Sequence, residues 1–252
     1  MALEPERRLL ATMTPHGFAV VDERWRDGAS RELVARRYLN GAERAQYEGW
    51  NPRSQRARLL GRIAAKDALR SALWDAGHGA LFPAEVPLAN DERGAPYVPD
   101  GPARALPVSI SHAEWLGVAL VGVPNGPPVG IDVEMIAPRG ETARSAVLSS
   151  VERAVLDAAF GAARADEALT RAWAAKEAVA KAAGTGLQGR PKDLVISNIA
   201  GERFEVARRW VTTTVVSAPA QSNWDPNLVL NTIPAVTGAE QKRYTIGWTD
   251  RA

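Results

Sequence analysis

Two stretches of the chain carry its clearest periodicity. Trp173-Ala-Ala-Lys-Glu-Ala-Val-Ala-Lys181 is rich in strong helix formers and stops at Gly184 and Gly186, which predicts one helix with a glycine end. Trp173, Glu177 and Lys181 recur every four residues and therefore share a face. Val129-Gly-Ile-Asp-Val-Glu134 alternates as a strand does, with Val129, Ile131 and Val133 on one side and Gly130, Asp132 and Glu134 on the other. Elsewhere the pattern predicts a strand at 17–23, a helix over 30–48, and a second helix over 55–75 carrying Leu59, Leu60, Ile63, Leu69 and Leu73 at helical spacing. Residues 79–107 are rich in Gly and Pro and read as loop with short extended pieces. Pro107–His112 and Leu116–Gly122 read as a hairpin, and Pro124-Asn-Gly-Pro-Pro128 as a seam near the midpoint. Beyond the seam, helices are expected at 142–159 and 166–183, and β segments near 193–198, 203–207, 209–217 and 244–248, with 218–240 irregular.

The two halves echo one another. Leu39-Asn-Gly-Ala-Glu-Arg-Ala45 matches Leu148-Ser-Ser-Val-Glu-Arg-Ala154, and Ala64-Ala-Lys-Asp-Ala-Leu69 matches Ala174-Ala-Lys-Glu-Ala-Val179. Phe18-Ala-Val-Val-Asp-Glu23 loosely echoes Val129–Glu134. The matches keep their order and nearly constant separation, which predicts a duplication. The expected class is α+β: a pseudo-two-fold tandem of two similar α/β lobes, 1–126 and 127–252, with the site in the cleft between them.

Composition narrows the chemistry. Apolar residues make up 46% and charged residues 24% of 252, as in a globular protein. Cysteine is absent, which excludes disulfides, thiolate metal sites and cysteine nucleophiles and fits a reducing compartment. The N-terminus has no apolar run suited to a signal peptide, and no segment reaches the roughly 18–20 apolar residues of a membrane span, so a cytoplasmic protein is expected. Net charge is only +2, yet Arg53, Arg56, Arg58, Arg62, Lys66 and Arg70 cluster. Such a run is usually a solvated helix face, and otherwise a surface for phosphates or acidic partners. His16, His78 and His112 have no zinc spacing.

If the strand face meets the helix face, Asp132, Glu134 and Glu177 converge with Lys181 beside them. Hard oxygen ligands of that kind hold Mg2+ together with substrate phosphates, and a lysine is a natural phosphate contact, so the pair of motifs points to a magnesium–diphosphate site. The bland alternative is an i,i+4 surface pair, Glu177 with Lys181, beside the wet face of a half-buried strand.

Gly130-Ile-Asp-Val-Glu134 followed by Trp173-Ala-Ala-Lys-Glu-(x)3-Lys181 resembles the 4′-phosphopantetheinyl transferases, more closely their two-lobed, surfactin-synthetase-activating type. Ser109-Ile-Ser-His112 matches that family's Ser-His element, Arg93-Gly-Ala-Pro96 with Pro99 resembles its basic-Gly-x-Pro loop, and Leu60-Gly-Arg62 with Lys66 its arginine helix. The resemblance implies that Asp132, Glu134 and Glu177 bind Mg2+ with the diphosphate of coenzyme A, and that Lys181 contacts the diphosphate. Glu177 or a metal-bound water would take the proton from the attacking serine. Arg62, Arg93, Ser111 and His112, with Arg56 or Arg53, would hold the 3′-phosphate. The substrates implied are coenzyme A and a serine of an apo acyl or peptidyl carrier protein, handled by a monomer without nucleic acid or membrane. Ala178 and Ala95 stand where the family often has serine and lysine. Trp173 reads as core and Lys176 as a surface charge. A carrier is expected along Met135–Arg139 and the next helix, using Ile136, Val147, Leu148, Arg139 and Arg144. Competing readings are a catalytically inactive carrier-docking module, or a nucleic-acid module built on the 53–70 arginines.

Overall fold

Two capping boxes divide what the periodicity reads as single helices. In the computed structural model, which describes residues 17–22, 28–219 and 241–249, the 30–48 pattern breaks into α1 (Gly28–Tyr38) and α2 (Gly41–Glu48). At the break the Asn40 side chain accepts from the Glu43 N–H at 3.0 Å, and the Glu43 carboxylate accepts from the Asn40 N–H at 3.1 Å. The 142–159 pattern breaks the same way into α4 (Glu141–Val147) and α5 (Ser150–Phe160), around Ser149 and Glu152. Apolar spacing runs on across so short an interruption; the cap chemistry does not.

The remaining elements follow the expected order. Strand β1 (Gly17–Asp22) precedes α1, and helix α3 (Pro52–Asp75) follows α2. The loop region holds only β2 (Ala89–Asn90) and β3 (Pro96–Tyr97), ahead of the hairpin β4 (Val108–Ala113) and β5 (Leu116–Val121). Past the seam come β6 (Ile131–Met135), α4, α5, α6 (Ala165–Ala182) and then β7 (Ile196–Ala200), β8 (Arg203–Val206), β9 (Arg209–Pro219) and β10 (Gln241–Thr249). Each half thus runs strand, two short helices, long helix, further strands. The expectations for residues 1–16 and 220–240, for Glu23 and for the Arg53 side chain lie outside the described residues. Among the described residues no helix is long and apolar enough to cross a membrane.

The strands form two main antiparallel sheets, β1-β5-β4 and β6-β10-β9-β8-β7. Strand β5 is apolar on both faces for a reason. Ala119 and Val121 pack with Ala64, Ala65 and Leu69 of α3, while Leu116, Val118 and Leu120 pack with Ile131, Val133, Tyr244, Ile246 and Trp248 of the second sheet. Full burial of such side chains stabilises by about 1.5–3 kcal/mol each, so this shared layer couples the halves strongly. Along β4 and β6 the contact is different. No backbone ladder joins these strands among the described residues; instead Ser109 Oγ accepts from the Ile131 N–H at 3.1 Å, and Ser111 Oγ donates to Asp132 Oδ1 at 2.8 Å.

Small residues set how closely the helices lie on the sheets. A β-carbon at Gly117 would collide with the Leu60 carbonyl oxygen of α3, and one at Gly130 with the Ala178 carbonyl oxygen of α6. The second approach brings Asp132 and Glu134, on the same side of β6 as Gly130, within reach of the side chains of α6.

Candidate active site

The strand face does meet the helix face. Lys181 Nζ donates to Asp132 Oδ1 at 2.7 Å, to the Ile131 carbonyl at 3.1 Å and, more weakly, to the Ile110 carbonyl at 3.4 Å. The ammonium therefore bridges β6 and β4. One helical turn back, Glu177 is half-buried and has no hydrogen bond among the described residues. Another turn back, the Trp173 indole N–H donates to Glu134 Oε1 at 3.1 Å, and Arg139 pairs with Glu134 Oε2 at 3.2 Å. The spacing of four on α6 and of two on β6 thus pairs Lys181 with Asp132, Trp173 with Glu134, and leaves Glu177 between them.

The electrostatics follow from crowding carboxylates away from water. Burial first, then the charge of Asp132, push the Glu134 carboxyl above the ordinary carboxylate range, against the pull of Arg139 and the Trp173 N–H. Burial and Asp132 likewise raise Glu177, opposed by Lys181 and reinforced by Glu134. Asp132 is 4% exposed, and its Oδ2 is buried with no hydrogen-bond partner. Thr245, directly across the ladder from Glu134 and so on the same face, also buries an unpartnered hydroxyl. Buried polar atoms are rarely left without a partner in folded proteins.

These groups fit a hard divalent cation: three oxygen donors, one with a buried orphan atom and one without any hydrogen bond. As they stand they do not form a ligand cage, and among the described residues no three acidic or imidazole side chains are gathered closely enough to hold an ion. The three carboxylates stand as a set partly neutralised by resident cations, Lys181 on Asp132 and Arg139 on Glu134.

His112 and Ser111 extend this cluster onto β4. Ser111 is held on Asp132, and the His112 ring lies beside α3 at Gly61. The imidazole is exposed on one side, and protein crowds its other side at Gly61. That loss of hydration, followed by the charge of Lys181, holds its pKa below the usual value. Arg56 lies over the Trp115 ring at 4.0 Å and Arg58 over Trp50 at 5.2 Å.

Arg62 is not brought into the cluster. It is 5% exposed and donates to Glu43 Oε1 (3.2 Å), the Leu88 carbonyl (2.6 Å), Gln46 (3.3 Å) and Asn90 Oδ1 (2.8 Å). Asn90 in turn donates to the Gly94 carbonyl at 2.8 Å, so Arg62 shapes the β2–β3 turn in which the exposed Arg93 sits. A buried Arg with four protein acceptors has little left for a phosphate.

Other expectations change too. The 53–70 arginine run is no single wet face: Arg62 and Lys66 are buried on Glu43, and Arg70 pairs with Asp67 and the Leu81 carbonyl. Those three charges are thus taken up within the protein, while Arg56 and Arg58 remain beside Trp115 and Trp50. Lys176, read as a surface charge, is fully buried and paired with Glu152 at 2.6 Å, because α6 is covered on that side by α5. Val147 and Leu148, read as carrier contacts, are core residues packed with Leu156 and Leu169. Arg144 is paired with Asp157. The Trp173 N–H, Ser109 and Thr245 were not legible as site residues. Trp173 carried a signal in its place one turn before Glu177, and Ser109 in its place within Ser109-Ile-Ser-His112, whereas Thr245 carried none.

A comparison with curated proteins finds no significant match. The segment that contains Asp132, Glu134, Trp173, Glu177 and Lys181 is nevertheless recognisable: residues 128–230 match the family model of the 4′-phosphopantetheinyl transferase superfamily, and the match supports a transferase of that kind.

Proposed function

We propose that this chain transfers the 4′-phosphopantetheine group of coenzyme A to a serine of an acyl or peptidyl carrier protein, as a two-lobed enzyme of the surfactin-synthetase-activating type. The observation that carries the reading is the pairing of β6 with α6, which sets Asp132 and Glu134 against Glu177 and Lys181 inside the matched segment. The strand–helix–helix–helix order shared by the two halves supports a pseudo-two-fold monomer divided near residue 126, with the site between the lobes.

In this reading the carrier serine hydroxyl attacks the β-phosphate of coenzyme A, the phosphorus–oxygen bond to the nucleotide breaks, and 3′,5′-ADP leaves. Glu177, free of hydrogen bonds and with a raised pKa, accepts the serine proton. Lys181, about a quarter exposed, turns its open side to the diphosphate while holding Asp132 in place. Asp132, Glu134 and Glu177 would hold Mg2+, which would supply charge neutralisation on the diphosphate. Ser111 fixes Asp132. His112, Arg93 and Arg56 meet the 3′-phosphate, and Arg62 serves them by ordering the Arg93 turn.

Incubation with coenzyme A, Mg2+ and a panel of apo carrier domains tests the proposal. A carrier mass gain of one phosphopantetheine is expected, lost when Mg2+ is chelated. Metal-independent coenzyme A binding with no transfer to any carrier would favour a docking module.

A further inference from the structure

Of the three carboxylates, Glu134 alone has both oxygens engaged: Oε1 by the Trp173 N–H and Oε2 by Arg139. Resting on the phosphopantetheine-transfer reading, we propose that Arg139 is a displaceable counter-ion, which occupies Glu134 in the free protein and must leave Oε2 before a divalent cation is held by the three carboxylates. Four features support this. Glu134 is half-buried beside Asp132, and Arg139 is the cation paired with it. Arg139 is anchored through its backbone, whose N–H donates to Asp166 Oδ1 in the first turn of α6 at 3.0 Å. Its side chain is 35% exposed, so the guanidinium can turn into solvent without moving the loop. And the Trp173 N–H keeps hold of Oε1, so Glu134 stays in position when Arg139 departs.

The arrangement amounts to an internal competitor. A tethered positive charge keeps the carboxylates from repelling one another, and it sets the apparent affinity for the metal. It differs from Lys181, which is anchored on two backbone carbonyls besides Asp132 and so does not swing free.

Mn2+ alone, followed by the loss of its aqueous paramagnetic resonance signal, reads this out without coenzyme A or turnover. Arg139→Gln should bind Mn2+ about tenfold more tightly than wild type at low salt, the size of one charge pair in a partly solvated site. Arg139→Lys should stay near wild type. Asp132→Asn should remove binding in the wild-type and Arg139→Gln backgrounds alike. If Arg139→Gln bound Mn2+ no more tightly than wild type while Asp132→Asn still removed binding, the counter-ion role would be wrong and the carboxylate site would stand. If Asp132→Asn left binding intact, or no protein bound Mn2+, both readings would fall. Thermal melting of each variant confirms that folded protein is compared.

Discussion

Helices α3 and α6 begin alike and end differently. Each carries an Ala-Ala-Lys step whose lysine, Lys66 or Lys176, is fully buried on the glutamate of a capping box, Glu43 at 2.7 Å or Glu152 at 2.6 Å. In α3 the neighbouring charge, Arg62, turns to the same Glu43 and to three further acceptors, so the polar groups there are satisfied from within. In α6 the neighbouring charges, Glu177 and Lys181, turn to β6, where Glu177 and Asp132 Oδ2 have no hydrogen-bond partner among the described residues. One frame thus serves two ends. At the first end the polar atoms are saturated, and at the second they are left open to a further partner.

The sharpest way to break this contrast is Glu177→Gln. The rate of transfer should fall roughly 10²–10⁴-fold for loss of the base, while the protein melts at the same temperature or higher. The sign follows from its pKa: raised in the fold, it means that the ionised carboxylate opposes folding at neutral pH, and glutamine removes that opposition. A variant within tenfold of wild type would return Glu177 to the architecture.

The saturated partners predict the reverse. Lys176→Met should cost about 3–5 kcal/mol in urea unfolding, since it strands the buried Glu152, and Lys66→Met should cost less, since Arg62 still pairs with Glu43. Adding Glu152→Gln to Lys176→Met should recover part of the loss. Two variants within 1 kcal/mol of wild type would show that these pairs behave as surface ones.

A third measurement concerns Glu167, which is buried and accepts from Arg164, Arg171 and Arg243. Burial alone would raise it, but these arginines hold it down to about 2. A depressed carboxylate contributes stability that is present above the unfolded pKa and lost as pH falls toward 2. Acid unfolding of wild type should therefore include a loss of about 3 kcal/mol between roughly pH 5 and 2 that Glu167→Gln lacks. Parallel curves would contradict it.

The smallest expected effect sharpens the first half. Arg93 is exposed and Arg62 is not. Arg93→Ala should weaken coenzyme A by about 1–3 kcal/mol, leave its 3′-dephospho form nearly untouched and spare stability. Arg62→Ala should lower stability as well. Equal losses for both ligands would remove the 3′-phosphate from the Arg93 turn.

Much of this was legible because two periods meet. A step of two on β6 and a step of four on α6 are each visible in the letters, and their meeting at Asp132–Lys181 and Glu134–Trp173 follows. The repeat was visible as well, though its meaning was not: Asn40…Glu43 and Ser149…Glu152 read as helix interiors, whereas they are helix beginnings. Burial was the least legible quantity. Lys176, Arg62, Val147 and Leu148 look like surface letters or contact letters until tertiary neighbours cover them, and no local pattern announces that α5 lies over Lys176. Thr245 reaches the site only through the pairing of β10 with β6, more than a hundred residues apart in sequence.

The junction of β4 with β6 has a consequence for how the chain tolerates change. Within a ladder, strands recognise each other through groups that every residue carries, so the bond survives most substitutions. At this junction recognition is delegated to the hydroxyls of Ser109 and Ser111 and the ammonium of Lys181. A register that a ladder would keep under almost any spelling is here written in three particular letters, and a drift in any one of them misaligns the Asp132 strand against its neighbour before it disturbs the core of either half.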